Sequence, residues 1–402
     1  MPWNRPPGIT EELALYAERH SLSRRTLLAR TGSALVGLSA LGSLAAACGG
    51  AGDEKAAATT EGGAPPPASG TVNLLAWQGY DDPKAAKPLT DQGVKINPTY
   101  ITNNDEIVAK LRGGALGTVD IVTPYHGYLK GLAEADLLEP LDYSRIPSTK
   151  SYFPEFDRPD WNTFDGNTYS APLVWGDTPI IYRTDLFTDL PDSWLDLRDP
   201  KYKGQLITLD DGLGNIMIYS RALFGPEDIT RITKKELDDI MAVWREVKKN
   251  LVTIAPSFGD TGDILARGDA AALLEGWRFV ISLVTEKGKK ADAYMPGEGS
   301  FAWADSYCIP KKAPNPDGAY AFIDTMISAK GDALVGGNTG SGVTNQDAVA
   351  NLTPDQQGLY PYKDIAGALE TSGFYTLPPL EREGDFTTFE EWLAAWEDFK
   401  SA

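Results

Sequence analysis

The sequence predicts an α/β fold built from mostly parallel sheets, and three observations support this prediction. Short apolar segments that end in a loop, such as residues 72–77, 119–122 and 270–274, alternate with segments of helical periodicity. Helices are predicted from about Asn215 and from Gly276. Helices are also predicted after Thr233 and Thr388, because Glu236 and Glu391 stand three positions later, which is the spacing of a capping box. Removing a predicted export signal (1–47) leaves 355 of the 402 residues, which is enough for two domains with separate cores.

Residues 1–47 have the pattern of an export signal. Arg24 and Arg25 form a twin-arginine pattern of the kind read by the Tat export machinery, and the uncharged run that follows is too short for a good membrane span. Three alanines then precede Cys48, as in the lipobox of bacterial lipoproteins, although Ala45 stands where a large aliphatic residue is usual. We expect lipidation of Cys48; the alternative is an ordinary signal peptide followed by an unmodified cysteine.

Residues 48–70 are rich in Ala, Gly, Thr and Pro, a composition that cannot bury a core. We expect a disordered tether between a lipid anchor and the folded domains. The predicted location is therefore the outer face of the cytoplasmic membrane, in the periplasm or cell envelope.

The charge of the chain limits its partners. The formal net charge is −19, and the predicted signal carries a net charge of +2, so the mature chain is near −21. Such a surface argues against nucleic acid and anionic lipid as partners. It is compatible with a cationic ligand, although acidic surfaces also serve solubility alone.

The few cysteines and histidines argue against enzymes and metal sites. Only Cys48 and Cys308 are present, so no intramolecular disulfide is expected, and His126 is the sole histidine after the signal. The carboxylates at 210–211 are adjacent and point apart on an extended chain, and the tyrosines in 360–362 are too isolated for an iron site. We expect no cofactor, no metal and no catalysis.

Trp303 and Asp305 are the first candidate binding residues. They stand two positions apart in the apolar segment 296–310, so an extended chain points both side chains to one face. An aromatic ring beside a carboxylate can bind an organic ammonium through cation–π attraction and charge-assisted hydrogen bonds. The alternative is a strand end with a buried tryptophan and a solvated aspartate.

Aromatic residues also stand at the ends of predicted strands. Trp77, Tyr80 and Tyr125 follow the first and third strands of the chain, where ligand loops of parallel sheets are found. Each is a candidate for ligand contact or, alternatively, for the core and its rim.

From about residue 71 to its C-terminus, the chain resembles the spermidine/putrescine-binding proteins of bacterial ABC importers. The matching motifs are AWQGY (76–80), DIVTPY (120–125), YSAPLVWG (169–176), SWLDL with PKYKG (193–204), LDD (209–211) and FAWADSYCIP (301–310). This resemblance implies the two-lobed, type II periplasmic binding-protein fold (Venus-flytrap), in which each lobe is a mostly parallel sheet flanked by helices and two crossover strands join the lobes. We expect lobe 1 at 71–175 plus 304–349 and lobe 2 at 176–303 plus 350–402.

The resemblance also implies roles for individual residues. Trp77 and Tyr80 match the family's first-loop aromatics, which contact the ligand's alkyl chain. Asp211 matches an amine-binding aspartate, and Trp303 with Asp305 matches the ring and carboxylate that hold the centre of the polyamine.

The chain departs from the family pattern at three places. Gly214 stands where a glutamate is expected, Ser341 replaces a tyrosine, and no matching glutamine occurs near residues 373–375. Asp177 is a candidate to replace the missing carboxylate, or else a solvated hinge residue. Trp277 and Ser341 are further candidates for ligand contact.

The predicted function is capture of a polyamine and its delivery to an ABC permease and its ATPase, by a protein expected to be a monomer. The alternative is the same fold binding a different small organic cation or amine-bearing solute. A metal-binding protein or an enzyme is less favoured.

Overall fold

The computed structural model describes residues 69–101 and 103–402. The predicted export signal, the lipidation site Cys48 and the predicted tether as far as residue 68 lie outside the described residues. Within the described ranges, no helix is long and apolar enough to cross a membrane.

Fourteen strands form four sheets in the part of the chain that the structure describes. The strands are β1 (Thr71–Ala76), β2 (Lys95–Tyr100), β3 (Ile121–Val122), β4 (Thr163–Phe164), β5 (Asn167–Thr168), β6 (Ala171–Asp177), β7 (Ile180–Arg183), β8 (Leu206–Leu209), β9 (Leu251–Ala255), β10 (Ala272–Leu273), β11 (Ala291–Tyr294), β12 (Ser300–Tyr307), β13 (Gly342–Val343) and β14 (Ser372–Phe374).

Helices cover the sheets, and short 3-10 turns join many of the elements. The α-helices are α1 (Lys87–Thr90), α2 (Asp105–Lys110), α3 (Leu129–Glu134), α4 (Gly212–Phe224), α5 (Lys234–Lys248), α6 (Phe258–Arg267), α7 (Phe279–Thr285), α8 (Pro316–Met326), α9 (Ala329–Thr339), α10 (Pro354–Gly358), α11 (Ile365–Thr371) and α12 (Phe389–Ser401).

The first sheet has the strand order β2-β1-β3, and all its pairs are parallel. Leu74 and Leu75 of the central strand are fully buried, since helices and the crossing sheet cover both faces. Because β1 and β3 are parallel, the loops that carry Trp77, Tyr80 and Tyr125 leave the same edge of the sheet.

The second sheet has the order β11-β7-β10-β8-β9. Strands β10, β8 and β9 are parallel, whereas β7 is antiparallel to both of its neighbours. The loops after β8 and β10 therefore leave one edge together, and they carry Asp211 and Glu275.

A third sheet joins the two regions, with the order β13-β6-β12-β14. Strands β6 and β12 pair antiparallel along most of their length and are the two expected crossover strands. A third strand, β14, runs parallel to β12 and was not predicted. These strands place Gly176, Trp303 and Asp305 at the junction of the two α/β regions.

Each α/β region has its own hydrophobic core. The C-terminal helix α12 packs Trp392, Trp396 and Phe399 into the second core, beside Trp244 of α5. Tyr360 belongs to the first core, together with Ile365 and Leu359. The expected lobe boundary after residue 349 stays a prediction, and this packing favours a boundary near β14 instead.

Local signals predicted most helix starts correctly. The capping boxes at Thr233 and Thr388 open α5 and α12 as expected. Helix α4 begins three residues earlier than predicted, because Asp211 accepts a hydrogen bond from the Leu213 amide and caps it. Helix α7 begins at Phe279 rather than at Gly276, whose amide donates to the Pro179 carbonyl instead.

Candidate functional site

The Trp303 indole lies against the backbone of the neighbouring crossover strand. Trp303 is paired with Gly176 across the sheet, and a Cβ at position 176 would be 2.5 Å from the indole Cζ2. Only glycine leaves room for the ring in this place. The half-buried ring meets Trp277 edge-on, with centroids 6.0 Å apart and planes at 81°.

Asp305 forms the first carboxyl site, which we define as Asp305 with Tyr80. The Tyr80 hydroxyl donates a hydrogen bond of 2.5 Å to Asp305 Oδ2, and Asp305 is only 9% exposed. Burial raises the pKa of Asp305 to about 7, although the bond from Tyr80 acts in the opposite direction. The Tyr307 hydroxyl donates to the Tyr80 carbonyl and so holds this loop in place.

Tyr125 lies near Asp305 and within reach of the charge of Asp211. Its backbone forms an isolated antiparallel bridge with Asp305. The pKa of Tyr125 is raised, first by burial and then by the negative charges of Asp211 and Asp305. Tyr125 is therefore close enough to both aspartates to feel their charges.

His126 positions the strand that carries the site. Its Nδ1 accepts a 3.3 Å hydrogen bond from the amide of Ala304, between Trp303 and Asp305, and its Nε2 donates over 2.9 Å to the Tyr375 carbonyl. This bonding requires a neutral imidazole protonated on Nε2. Burial lowers the pKa of His126 to about 3, so the ring stays neutral at physiological pH.

Trp77 lies where two hydrophobic clusters of the first α/β region meet. Its amide donates to the Thr123 hydroxyl over 3.1 Å, which ties the loop after β1 to the loop after β3. The indole Nε1 is buried and has no hydrogen-bond partner among the described residues. Its ring is half-buried, as is the Trp277 ring.

A second carboxyl site, which we define as Asp211 with Glu275, lies at the edge of the second sheet. Glu275 is 4% exposed, and its Oε2 accepts a 2.8 Å hydrogen bond from Asn215. A Cβ at Gly214 would be 2.0 Å from Glu275 Oε1 and 3.1 Å from Asp211 Oδ2. The pKa of Glu275 is raised well above its usual range by burial and, next, by the charge of Asp211.

Glu275 was not predicted as a site residue. It directly follows a predicted buried strand and precedes Gly276. Ligand-binding residues often stand at the carboxyl ends of parallel strands, so this position could have indicated a site residue. Its neighbour in the fold, Asp211, was predicted. The structure thus places a second carboxyl group beside Asp211, where Gly214 supplies none.

Asp210 and Asp211 point apart, as their adjacency predicted. Asp210 accepts a 2.9 Å hydrogen bond from Trp396 Nε1 and pairs with Lys400 at 2.8 Å. Asp210 therefore anchors the C-terminal helix, whereas Asp211 caps α4 next to Glu275.

The weaker candidates have partners within the protein. Asp177 receives two hydrogen bonds of 2.6 Å from Arg278, and both side chains are largely buried. Its charge is therefore compensated, and its role in ligand binding stays a prediction. Ser341 is buried and its hydroxyl contacts Thr339 Oγ1 at 3.1 Å, so its role also stays a prediction.

The arrangement suits an elongated organic cation. Two carboxyl sites offer acceptors for ammonium groups, and the aromatic rings near them offer apolar contact for methylenes and π-faces for charge. Among the described residues, no group of three or more His, Cys, Asp or Glu side chains could hold a metal ion.

The sheets and the site at their junction define a two-lobed solute-binding protein of type II architecture. The chain belongs to the family of bacterial extracellular solute-binding proteins, which matches residues 84–361. This family consists of solute-binding components of transport systems that act outside the cytoplasm.

Individual relatives agree with this assignment. The spermidine/putrescine-binding periplasmic protein of Escherichia coli K12 is 26% identical over 72% of this chain and 83% of its own length. A putrescine/agmatine-binding protein of Pseudomonas aeruginosa is 26% identical over 65% of this chain and 74% of its own length. The resemblance inferred from the motifs is thereby confirmed.

Solved structures confirm the fold. The spermidine/putrescine ABC transporter substrate-binding protein PotD of Streptococcus pneumoniae superposes with a TM-score of 0.68 at 21% identity, covering 82% of this chain and 97% of that one. The TpPotD lipoprotein of Treponema pallidum gives a TM-score of 0.67 at 23% identity, covering 83% of this chain and 100% of that one.

Proposed function

We propose that this protein is the substrate-binding component of an ABC importer for a polyamine, a spermidine- or putrescine-like cation, which it delivers to a permease and its ATPase. The observation that carries the proposal is Asp305, a buried carboxyl group whose Tyr80 partner is neutral. A carboxylate without a basic partner in a cleft lined by aromatic rings is a binding site for an ammonium ion.

The relatives support the choice of ligand. The names of several relatives describe them as binding proteins for spermidine, putrescine, agmatine or cadaverine. These ligands share ammonium or guanidinium groups joined by methylenes, which fits the alternation of carboxyl groups and rings found here. The alternative ligand, a different small organic cation or amine-bearing solute, would use the same Asp305.

We also propose that the protein works by binding alone, without catalysis. Among the described residues, His126 holds the backbone of Ala304 and the Tyr375 carbonyl with its two ring nitrogens, so it has no free nitrogen for proton transfer. Cys308 is fully buried and burial raises its pKa, which disfavours the thiolate needed for nucleophilic attack.

The proposed location is the outer face of the cytoplasmic membrane, after export by the Tat machinery and lipidation of Cys48. Cys48→Ala is expected to move the protein from the membrane fraction to the soluble exported fraction. Replacing Arg24 and Arg25 by lysine together is expected to block export. A wild-type protein that is already soluble after export would refute the lipid anchor.

A panel of thermal unfolding measurements tests the ligand class. Putrescine, spermidine and spermine are compared with betaine-type cations and amino acids, and a ligand that binds the folded state raises the melting temperature by mass action. We expect the largest rise with one of the polyamines, confirmed by titration calorimetry. No shift with any amine would refute the proposed function. Analytical ultracentrifugation of the same samples measures the molar mass in solution and so tests the expected monomer.

A further inference from the structure

The space next to Asp211 is filled by a side chain from a different part of the chain. Position 214 lies one helical turn after Asp211, and a side chain there would run into Glu275, because its Cβ would lie 2.0 Å from Glu275 Oε1. Gly214 therefore leaves the room that Glu275 occupies. The Glu275 side chain thus occupies the space that a side chain at position 214, 61 positions earlier in the chain, would need.

The Glu275 carboxyl group is held in a fixed orientation. Its Oε2 accepts a hydrogen bond from Asn215 Nδ2, and Asn215 Oδ1 in turn accepts a 2.5 Å bond from the Thr208 hydroxyl. The side-chain Nδ2 of Asn215 also donates to the backbone carbonyls of Leu209 and Asp211. Glu275 Oε1 is left facing Asp211 and the space above Gly214.

The charges that raise the pKa of Glu275 come from two aspartates. Asp211 faces Glu275 from the start of α4, and Asp210 contributes a weaker negative charge from the end of β8, although Lys400 compensates it. Within residues 69–101 and 103–402, neither Asp211 nor Glu275 forms an ion pair with a basic side chain. Glu275 is buried and Asp211 is partly buried, so two ionised carboxyl groups here repel each other unless they share a proton or bind a cation.

Trp277 links this pair to the cleft. It stands two residues after Glu275, and its ring meets the Trp303 ring. Tyr125, which bridges to Asp305, also feels the charge of Asp211. The Asp211–Glu275 pair therefore adjoins the same cleft as Asp305.

Resting on the proposed function, we propose that Glu275 supplies the carboxylate that position 214 lacks, and that with Asp211 it binds a terminal primary ammonium group of the ligand. A primary ammonium carries three N–H donors, so it can donate to both carboxyl groups at once. A quaternary ammonium has no such donor. The ligand class is thus a diamine or polyamine with a free primary amino end.

The first test compares Glu275→Gln with Glu286→Gln, which removes a charge from an exposed position at the end of α7. Titration calorimetry at pH 8 measures the Kd of putrescine and of its bis-trimethylammonium analogue, which carries two positive charges but no N–H donor. Glu275→Gln is expected to raise the putrescine Kd at least about 10-fold, to raise the Kd of the analogue much less, and so to reduce the preference for primary ammonium ends. Glu286→Gln is expected to match the wild type.

The second test transfers the carboxylate from position 275 to position 214. Gly214→Ala alone is expected to weaken putrescine binding, because its Cβ displaces Glu275. The double variant Gly214→Glu with Glu275→Ala is expected to recover affinity relative to Glu275→Ala, since a carboxylate again stands beside Asp211. Failure of that recovery, with all variants folded by circular dichroism, would overturn the proposal.

Proton release gives a third readout. Putrescine binding is measured in two buffers of different ionisation enthalpy, and Glu275→Gln is expected to release fewer protons than the wild type. A wild-type protein that binds no amine would refute both the proposed function and this inference. Amine binding that is unchanged in Glu275→Gln would overturn this inference alone, and a lower melting temperature with an unchanged Kd would assign Glu275 a purely structural role.

Discussion

The two carboxyl sites differ in the partner that each carboxyl group faces. In the first carboxyl site, Asp305 faces a phenol, and Tyr80 donates a hydrogen bond to it. In the second carboxyl site, Asp211 faces another carboxyl group, Glu275. A neutral donor leaves one negative charge for a ligand to compensate, whereas two acids must first share a proton. The same cleft thus offers acceptors whose ionisation depends on pH in different ways.

The largest effect is expected from Asp305→Asn. This change removes the charge that a bound ammonium needs, and loss of one member of a buried charge pair costs about 2–5 kcal/mol. Trp303→Leu removes a ring from the same site and is expected to cost less, about 1–2 kcal/mol. Asp211→Asn is expected to lie between them. Titration calorimetry with one polyamine measures all three.

Asp317→Asn is the matched control, since Asp317 pairs with Arg145 on the surface of the first α/β region. Its affinity should equal that of the wild type. If Asp305→Asn bound the ligand with native-like affinity, the first carboxyl site would not take part in binding. The comparison of the two carboxyl sites would then not hold.

Ligand affinity is expected to fall below pH 7. Burial raises the pKa of Asp305 to about 7, so in the ligand-free protein this carboxyl is protonated at lower pH and must lose its proton to pair with an ammonium. The Kd should rise about 10-fold for each pH unit below 7. Calorimetric titrations from pH 5.5 to 8.5 test this, and the dependence should flatten in Asp305→Asn.

The stability of the ligand-free protein should respond with the opposite sign. Because the folded pKa of Asp305 is raised, its contribution to stability is present below the ordinary value of 3.8 and is lost as pH rises through about 7. Asp305→Asn should therefore raise the melting temperature more at pH 8 than at pH 5. An equal rise at both values would contradict this linkage. The lowered pKa of His126 has the opposite effect, because its contribution to stability is lost as pH falls from 6.5 towards 3. This contribution is the same in the wild type and in Asp305→Asn, so it cancels in the comparison.

Gly176→Ala tests the position of the aromatic ring next to the first carboxyl site. The added Cβ would lie 2.5 Å from the Trp303 ring, so the ring must move away from β6. We expect polyamine binding to weaken by about 1–2 kcal/mol, similar to loss of the ring. Gly131→Ala in α3, where an added Cβ has no neighbour within 4 Å, should leave affinity unchanged. Equal affinities for both variants would show that the ring position does not matter.

Closure of the two α/β regions is the smallest expected effect. Residues of the first carboxyl site belong to the first region and the crossing sheet, and those of the second carboxyl site belong to the second region. A ligand that bonds both sites should draw the regions together. Small-angle X-ray scattering is expected to show a smaller radius of gyration at saturating ligand. An unchanged profile with proven binding would mean that the cleft is closed before binding.

Several parts of the site follow from local sequence patterns. Trp303 and Asp305 could be assigned to one strand because alternation in an apolar segment determines which side chains share a face. Asp211 could be assigned to the loop after a strand, although its role as the cap of α4 was not predicted. The starts of α5 and α12 were predicted from their capping boxes, since the bonds of a capping box join residues only three positions apart.

Other parts required the packing of distant segments. No local pattern relates Gly214 to Glu275, and the interpretation of position 214 as a missing carboxylate was incomplete for that reason. The pairing of Asp177 with Arg278 joins residues about a hundred positions apart. Strand β14 is too short for a periodic signal and exists because β12 offers it an open edge.

The sequence by itself determined the α/β class, the family and the strand that carries Trp303 and Asp305. These properties depend on periodicity, capping and motif spacing, which are local. The tertiary structure decided which side chain fills the space beside Asp211, where the Trp303 ring lies, and that burial raises the pKa of Asp305 and of Glu275. These properties depend on burial and on contacts between segments far apart in the chain, because a carboxyl group changes its pKa only when its solvent and neighbours are defined.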